Sequence, residues 1–338
     1  MKKRVLSLPP LSHIATMFEE ETWSCLGDEF EVEENDGFEP LESEDVATRL
    51  RSCDAVLTDP DSPPFTCESL ENARDLKIIA HTAGSARSLL DEKGVRETLL
   101  ARDIIVFSGN DGLALNVAES TLGLMIAASR RWKEHIAYFH NTRQGSDDLP
   151  RNGQFLSGAT VGLVSASKVA RHVVRLLQPF GCEILVFDPF LAPAEARSLG
   201  VSSVKLDELC ERSDIISVHA SSNSSTEKLI GAAQFKQMRD GVTFVNTSRG
   251  AVVDYHALLE ECRSGRILAA LDVTQPEPLP RDSPLWSLTN VMLTPHLAGE
   301  GYAGYFRIGE ATLEALRDGF AGRDVAGRVP LDKWDILA

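Results

Sequence analysis

The sequence predicts an α/β protein made of two doubly wound parallel-sheet domains. Two observations carry this. Short apolar segments alternate with helical patterns along almost the whole chain, and alternation of that kind implies parallel strands with helices crossing over them. The length, 338 residues, exceeds one ordinary domain, so two cores are expected. With 43% hydrophobic and 25% charged residues the composition is that of a soluble globular chain.

In the first third, strand-like segments fall at residues 4–8, 30–33, 55–58, 76–81 and 104–107, with helical patterns at 11–23, 44–51 and 95–100. The segment at 76–81 empties into Thr82-Ala83-Gly84-Ser85, a turn at the carboxyl end of a parallel strand. Ligands of such sheets bind at that edge, although a plain surface turn has the same composition. Residues 116–138 read as one long helix, apolar enough (Val117, Leu122, Leu124, Met125, Ile126, Ala127) to be buried on more than one side, as an interdomain or subunit helix is. The polar stretch 141–158 reads as a linker.

A strand (Val161, Leu163, Val164) then runs into a small-residue turn, a helix carrying Val169, Val173, Val174, Leu176 and Leu177, and a second strand (Ile184 to Phe187) ending at Asp188. That is the layout of a dinucleotide site: the turn and helix N-terminus face a pyrophosphate, and an acidic residue about 20 positions on holds the adenine ribose. The turn departs from the expected G-x-G-x-x-G, since the chain has Ser165-Ala166-Ser167-Lys168-Val169-Ala170. Further helix–strand pairs follow at 206–212 and 214–218, 232–238 and 242–246, 254–264 and 267–271, with a last strand at 291–293. They complete a sheet of about six strands. The helix at 304–320 and the tail to 338 have no strand of their own. Their expected place is the first domain, which is then discontinuous: 1–112 plus 298–338, against 113–297.

Thirty-four Lys and Arg against 50 Asp and Glu leave a net charge of −16, which argues against a nucleic-acid surface. The six cysteines form no C-x-x-C pair and no histidine is spaced for zinc, so reduced thiols in a cytoplasmic chain, and no metal, are expected. The apolar run after Lys2-Lys3-Arg4 is broken at Pro9-Pro10, which excludes a signal segment. No run approaches the roughly 18 apolar residues of a membrane span.

Three strand ends in the second domain place reactive groups on one sheet edge: Arg249 in Val245-Asn246-Thr247-Ser248-Arg249-Gly250, Glu277 in Leu271-Asp272-Val273-Thr274-Gln275-Pro276-Glu277-Pro278, and His296 after Thr294-Pro295. Reduction of a carbonyl needs this set. Arginine offers a planar fork to a substrate carboxylate, histidine exchanges a proton near working pH, and a carboxylate beside the imidazole holds it in place. Singly, each has an ordinary structural explanation.

With these stretches in view, VGLVSASKVARHVVRLLQPFGCEILVFDP, VNTSRGAVVD, LDVTQPEPLP and LTPHLAG, and more weakly LKIIAHTAGS and NVAESTLGLMIAASRR, the sequence resembles the D-2-hydroxyacid dehydrogenase family over nearly its whole length. The resemblance implies a flavodoxin-like, discontinuous substrate domain and a Rossmann-like nucleotide-binding domain. It implies that Arg249 binds the substrate's carboxylate and carbonyl, that His296 is the general acid/base, and that Glu277 pairs with it. Ala83, Gly84 and Ser85 would offer N–H groups to the substrate carboxylate. Ser167, Lys168 and Val169 would lie at the pyrophosphate, Asp188 at the adenine ribose, and His219, Thr247 and Asp272 around the nicotinamide half. The implied activity is NAD(H)-dependent interconversion of a small 2-hydroxy and 2-keto acid by a homodimer formed through the nucleotide domain. NAD(H) is expected over NADP(H), because Asp188 would repel a 2′-phosphate and no Arg follows in Pro189-Phe190-Leu191.

Departures from the family pattern fall on the cofactor turn. Its three glycines are Ser165, Ser167 and Ala170, and the proline usual after His219 is absent from Ala220-Ser221-Ser222. A non-glycine residue at positive φ costs about 1–2 kcal/mol, whereas a serine hydroxyl bonded to phosphate returns about 1 kcal/mol. An alternative therefore stands beside the enzyme: a binding or regulatory protein that keeps the fold without turnover, as in the C-terminal-binding-protein corepressors. Substrate identity rests on the loops around 81–85, Trp286 and 299–305, which carry no recognisable code.

Overall fold

The structure, a computed structural model, describes residues 2–37, 39, 41–145, 149, 153–300 and 302–336. Parts of the stretch read as a linker (146–148 and 150–152), Gly301 of the loop 299–305, and the end of the tail (337–338) lie outside the described residues. The chain divides into two compact units, Met1–Leu113 with Glu300–Ala338, and Ala114–Gly299.

The first unit is built on five strands, β1 (Arg4–Pro10), β2 (Glu31–Asn35), β3 (Ala55–Thr58), β4 (Ile78–His81) and β5 (Ile105–Ser108). They are parallel and ordered β2-β1-β3-β4-β5. This is the flavodoxin-like order, in which the chain reverses direction of travel between β1 and β3. Strands covered on both faces read as continuous apolar runs, and β3 and β4 are buried at every residue. The helix Tyr302–Phe320 packs here, with Leu313, Ala315 and Leu316 buried among Leu57, Ile78 and Phe107. Close approach fixes its register: a Cβ on Gly319 would come within 2.6 Å of the Ile78 side chain. The helix expected at 11–23 is two, Leu11–Met17 and Glu20–Glu29. Phe18 separates them in an extended conformation, its ring buried in a T-shaped contact with Trp23, centroids 5.1 Å apart. Two short helices, Cys67–Asn72 and Arg87–Leu90, are too brief to show a periodic pattern.

The second unit carries β6 (Thr160–Val164), β7 (Glu183–Phe187), β8 (Ser202–Ser203), β9 (Ile215–Val218), β10 (Thr243–Asn246), β11 (Leu268–Leu271) and β12 (Val291–Leu293). They form a seven-stranded parallel sheet ordered β12-β11-β10-β9-β6-β7-β8. The order reverses at β6 and β9, the dinucleotide-binding position of such sheets. The strand beyond the six expected is β8, two exposed serines with no apolar signal. Gly162 in β6 is required by packing, since a Cβ there would meet Ser213 Oγ at 2.4 Å and Leu209 at 2.6 Å.

The long helix expected at 116–138 is also two, Asn110–Ser129 and Trp132–Thr142. Arg131 breaks it at φ 55°, with its Nε donating to Glu134 Oε2 at 2.8 Å. The segment Gly112–Ser129 has the length and mean composition of a membrane span, although Asn116, Glu119, Ser120 and Thr121 interrupt its apolar residues. Its Ala118, Met125 and Ala128 nevertheless lie in a core with Val161, Leu163 and Val245. Leu156, within the supposed linker, is buried in the same core.

Candidate active site

At the end of β6, Ser165 takes φ 85°, the left-handed conformation glycine ordinarily supplies. The turn therefore keeps a glycine turn's path without the glycine. Its strain is offset locally: Ser165 Oγ donates to Asp188 Oδ2 at 3.1 Å and the Ala166 N–H donates to the same oxygen at 2.8 Å. Asp188 Oδ1 accepts the Phe190 N–H at 2.8 Å. The carboxylate expected at the ribose thus also ties the end of β7 to the turn. Ser167 is the N-cap of the helix Lys168–Leu177, its Oγ accepting the Ala170 N–H at 3.4 Å. The hydroxyl proton remains available to an anion, and the first-turn N–H groups point out of the helix. Lys168 is exposed and Val169 half-buried at this end.

His219 follows β9, beside β6. It is wholly enclosed, and neither ring nitrogen has a partner among the described residues. Burial pushes its pKa down to about 3, so the ring is neutral. An orphaned neutral imidazole at the switch point fits a site whose polar ligand completes it. Thr247, buried after β10, shares a 2.7 Å hydrogen bond with Thr121 of the helix Asn110–Ser129.

The loop after β10 is shaped by Asn246. Its Oδ1 accepts from the Ser248 N–H and Oγ at 3.0 Å, and its Nδ2 donates to the Arg249 carbonyl at 3.1 Å. A Cβ on Gly250 would stand 2.0 Å from the Thr274 carbonyl oxygen, so this loop lies directly against the one after β11 that carries Glu277. Arg249 is half-buried, and its Nη1 donates to the Ser248 carbonyl at 2.7 Å. Burial lowers its pKa from the ordinary value, while the Glu277 carboxylate acts in the opposite sense.

Glu277 Oε1 meets His296 Nδ1 at 2.7 Å. Both side chains are about half exposed, 40% and 50%, so solvent reaches the pair. The bonds before Pro276 and Pro278 are cis, bracketing Glu277. His296 itself stands at φ 53°. Asp272 holds it there: the carboxylate accepts Thr294 Oγ1 at 2.5 Å and the N–H groups of Leu297 and Ala298 at 2.9 Å, and the Asp272 carbonyl accepts the His296 N–H at 2.9 Å. Expected beside a nicotinamide, Asp272 is committed to the loop that presents the histidine.

In the first unit, Gly84 has φ 83°. Its N–H donates to Asn110 Oδ1 at 2.9 Å, and Asn110 Nδ2 returns a 2.6 Å bond to its carbonyl. Ser85 Oγ accepts the Arg87 N–H at 3.2 Å. Of the Ala83-Gly84-Ser85 turn, the middle N–H is therefore already engaged. Asn110, Thr121, Asn246 and the clamp role of Asp272 escape sequence reasoning; only Asn246, at a strand end before Thr-Ser, carries an Asx-turn signal.

The family model for the D-isomer specific 2-hydroxyacid dehydrogenase NAD binding domain matches residues 122–298. The chain belongs to the D-isomer-specific 2-hydroxyacid dehydrogenase family. A D-3-phosphoglycerate dehydrogenase of Mycobacterium leprae is 34% identical over 326 residues, 96% of this chain and 59% of that protein. A glyoxylate reductase of Korarchaeum cryptofilum is 34% identical over 280 residues, 80% of this chain and 81% of that protein. Among solved structures, a phosphoglycerate oxidoreductase from Rhizobium etli superposes with a TM-score of 0.80 at 27% identity, covering 97% of this chain and 98% of that one. The chain spans about half to three fifths of the length of the phosphoglycerate dehydrogenases it matches, 48% and 59% in two of them. As a family member it carries an NAD-binding domain, the unit containing β6 to β12.

Proposed function

We propose that this dehydrogenase-family protein interconverts a small 2-hydroxy acid and the corresponding 2-keto acid with NAD(H). The observation that carries the reading is the 2.7 Å pairing of His296 with Glu277 on a loop packed against the one bearing Arg249. Arg249 supplies two parallel donors to the substrate carboxylate and a positive charge toward the carbonyl. Glu277 occupies Nδ1, so the imidazole presents Nε2 to the reacting oxygen and gives it a proton in reduction, taking one in oxidation. Asp272 fixes the backbone that aims this ring.

The dinucleotide, when bound, supplies or accepts the hydride at C2. Ser167, Lys168 and Val169 are the residues to hold its pyrophosphate, Asp188 its adenine ribose, and His219 and Thr247 the nicotinamide half. NAD(H) is favoured over NADP(H) because a 2′-phosphate would face the Asp188 carboxylate. The Ala83-Gly84-Ser85 turn contributes its remaining N–H groups to the substrate. A cytoplasmic setting is supported by six free cysteines. The helix Trp132–Thr142 buries no residue and exposes Trp132, Ile136 and Phe139 at 50%, 53% and 55%. Such an apolar stripe supports a homodimer formed through this domain.

One observation favours a second reading, a dehydrogenase-like binding protein without turnover. Asp188, the ribose ligand, already receives three donors from its own chain. Calorimetric titration with NADH separates the two: saturable heat followed by consumption of NADH on adding a 2-keto acid supports the enzyme, and heat without consumption supports the binding protein.

A further inference from the structure

The Ala83-Gly84-Ser85 turn lies between two supports. Upstream it leaves β4, which is buried at every residue. Downstream it enters the short helix Arg87–Leu90, and Ser85 Oγ accepts the N–H of Arg87, the first residue of that helix, at 3.2 Å. A helix of four residues is a single turn, too short to hold itself together. Its position has to be fixed by what packs on it.

That support comes from the other end of the chain. After the helix Tyr302–Phe320 the tail returns beside β5: the Ser108 N–H donates to the Gly327 carbonyl at 3.0 Å, and the Val329 N–H to the Val106 carbonyl at 2.7 Å. It then brings Trp334 to Arg87, 247 residues away in sequence. Arg87 Nη2 donates to the Trp334 carbonyl at 3.3 Å, and its guanidinium carbon stands 5.4 Å from the centre of the indole ring. The guanidinium carbon of Arg96 stands 5.0 Å from the same ring. Arg96 Nη1 donates to the carbonyl of Leu90, the last residue of the helix, at 3.2 Å. Both ends of the helix are thereby tied to one tryptophan. Trp334 is 7% exposed and shares a core with Leu89, Leu90 and Leu99. Its Nε1 has no partner among the described residues, so the ring holds these groups by its face and its packing rather than by a hydrogen bond.

We propose that Trp334 is a positioning residue for substrate binding. Through Arg87 and Arg96 it fixes the helix that anchors Ser85, and with it the direction of the N–H groups that the turn offers to a carboxylate. The inference rests on the dehydrogenase reading only for the role of that turn. A tryptophan that merely filled the core would add stability and leave substrate affinity alone. A cation is attracted to the face of phenylalanine as well as to that of tryptophan, so Trp334→Phe keeps the hold and Trp334→Ala loses it.

The test compares Trp334→Ala, Trp334→Phe and Arg87→Gln in the full-length protein, well below the unfolding temperature of each. Amide hydrogen exchange is followed over residues 82–90, beside steady-state reduction of a small 2-keto acid and calorimetric NADH affinity. In Trp334→Ala, exchange over 82–90 and the KM for the keto acid should each rise about tenfold, with kcat and NADH affinity within about twofold of native. Arg87→Gln should behave alike, and Trp334→Phe should stay near native. Arg87 is only half-buried, so its variant carries the comparison even where the alanine variant does not fold. Unchanged exchange in both Trp334→Ala and Arg87→Gln overturns the proposal. So does a KM that rises only together with loss of NADH affinity, or a Trp334→Phe protein as impaired as Trp334→Ala. Exchange does not depend on turnover: if it rises as expected while the native protein reduces no 2-keto acid, the coupling of tail to turn stands and the dehydrogenase reading fails.

Discussion

In the proposed reaction Arg249 holds the carboxylate and His296 moves the proton, and their removal should separate from cofactor binding. Arg249→Ala is expected to cost about 1.5–3 kcal/mol or more in kcat/KM, and His296→Ala to abolish reduction, while calorimetry still detects NADH with nearly native affinity in both. Wild-type turnover by either variant would remove that residue from the chemistry. His219 supports a prediction about stability. Its folded-state pKa is about 3 against an ordinary 6.5, so between those values the unfolded chain binds a proton that the folded chain refuses. The His219 contribution is complete above 6.5 and is lost as pH falls, by up to about 1.4 kcal/mol per pH unit. Urea unfolding from about pH 7 to pH 5 should therefore show a slope that His219→Asn flattens; an unchanged slope would mean that the imidazole is not buried neutral.

Loops and turns, rather than the strands that end in them, decide how the reactive groups stand. Asp272 accepts three donors from the 294–298 loop, and an Asn there turns an NH₂ toward one of them. Asp272→Asn should destabilise the protein by about 1–3 kcal/mol and lower kcat more than it weakens NADH, readable by thermal unfolding beside steady-state kinetics. A purely nicotinamide-binding Asp272 would show the reverse. At the cofactor turn, Ser165→Gly relieves positive-φ strain of about 1–2 kcal/mol but removes the Ser165–Asp188 bond, worth about 1 kcal/mol. Stability should change little, and NADH affinity should rise because Asp188 is freed for the ribose; weaker binding would show that the hydroxyl bond is what presents the carboxylate. These local couplings explain what the sequence hides. Arg249, Glu277 and His296 announce themselves by chemistry at strand ends, whereas Asp272 and Asp188 look like ligands in sequence and act also as internal ties, because hydrogen-bond direction is a property of folded loops.

Across the whole molecule, both parallel sheets were legible from the alternation of apolar strands with helices, down to buried runs such as Ala55–Thr58 and Ile215–Val218. What escaped was short or broken. The Ser202–Ser203 strand has no apolar residue, and the helix breaks at Phe18 and Arg131 follow from burying one ring and from one left-handed residue. The second of those breaks sets off the helix Trp132–Thr142, whose exposed Trp132, Ile136 and Phe139 argue for a partner copy. Phe139→Glu should convert a dimer to a monomer in sedimentation analysis; a native chain that sediments as a monomer would dismiss the interface. The account as a whole is tested most directly by following the nicotinamide absorbance of NADH mixed with the protein and a panel of small 2-keto acids, glyoxylate among them. It predicts loss of absorbance with at least one acid, absent in His296→Ala. NADH that binds with measurable heat yet survives every acid would contradict it and leave a protein that keeps a dehydrogenase's site for recognition alone.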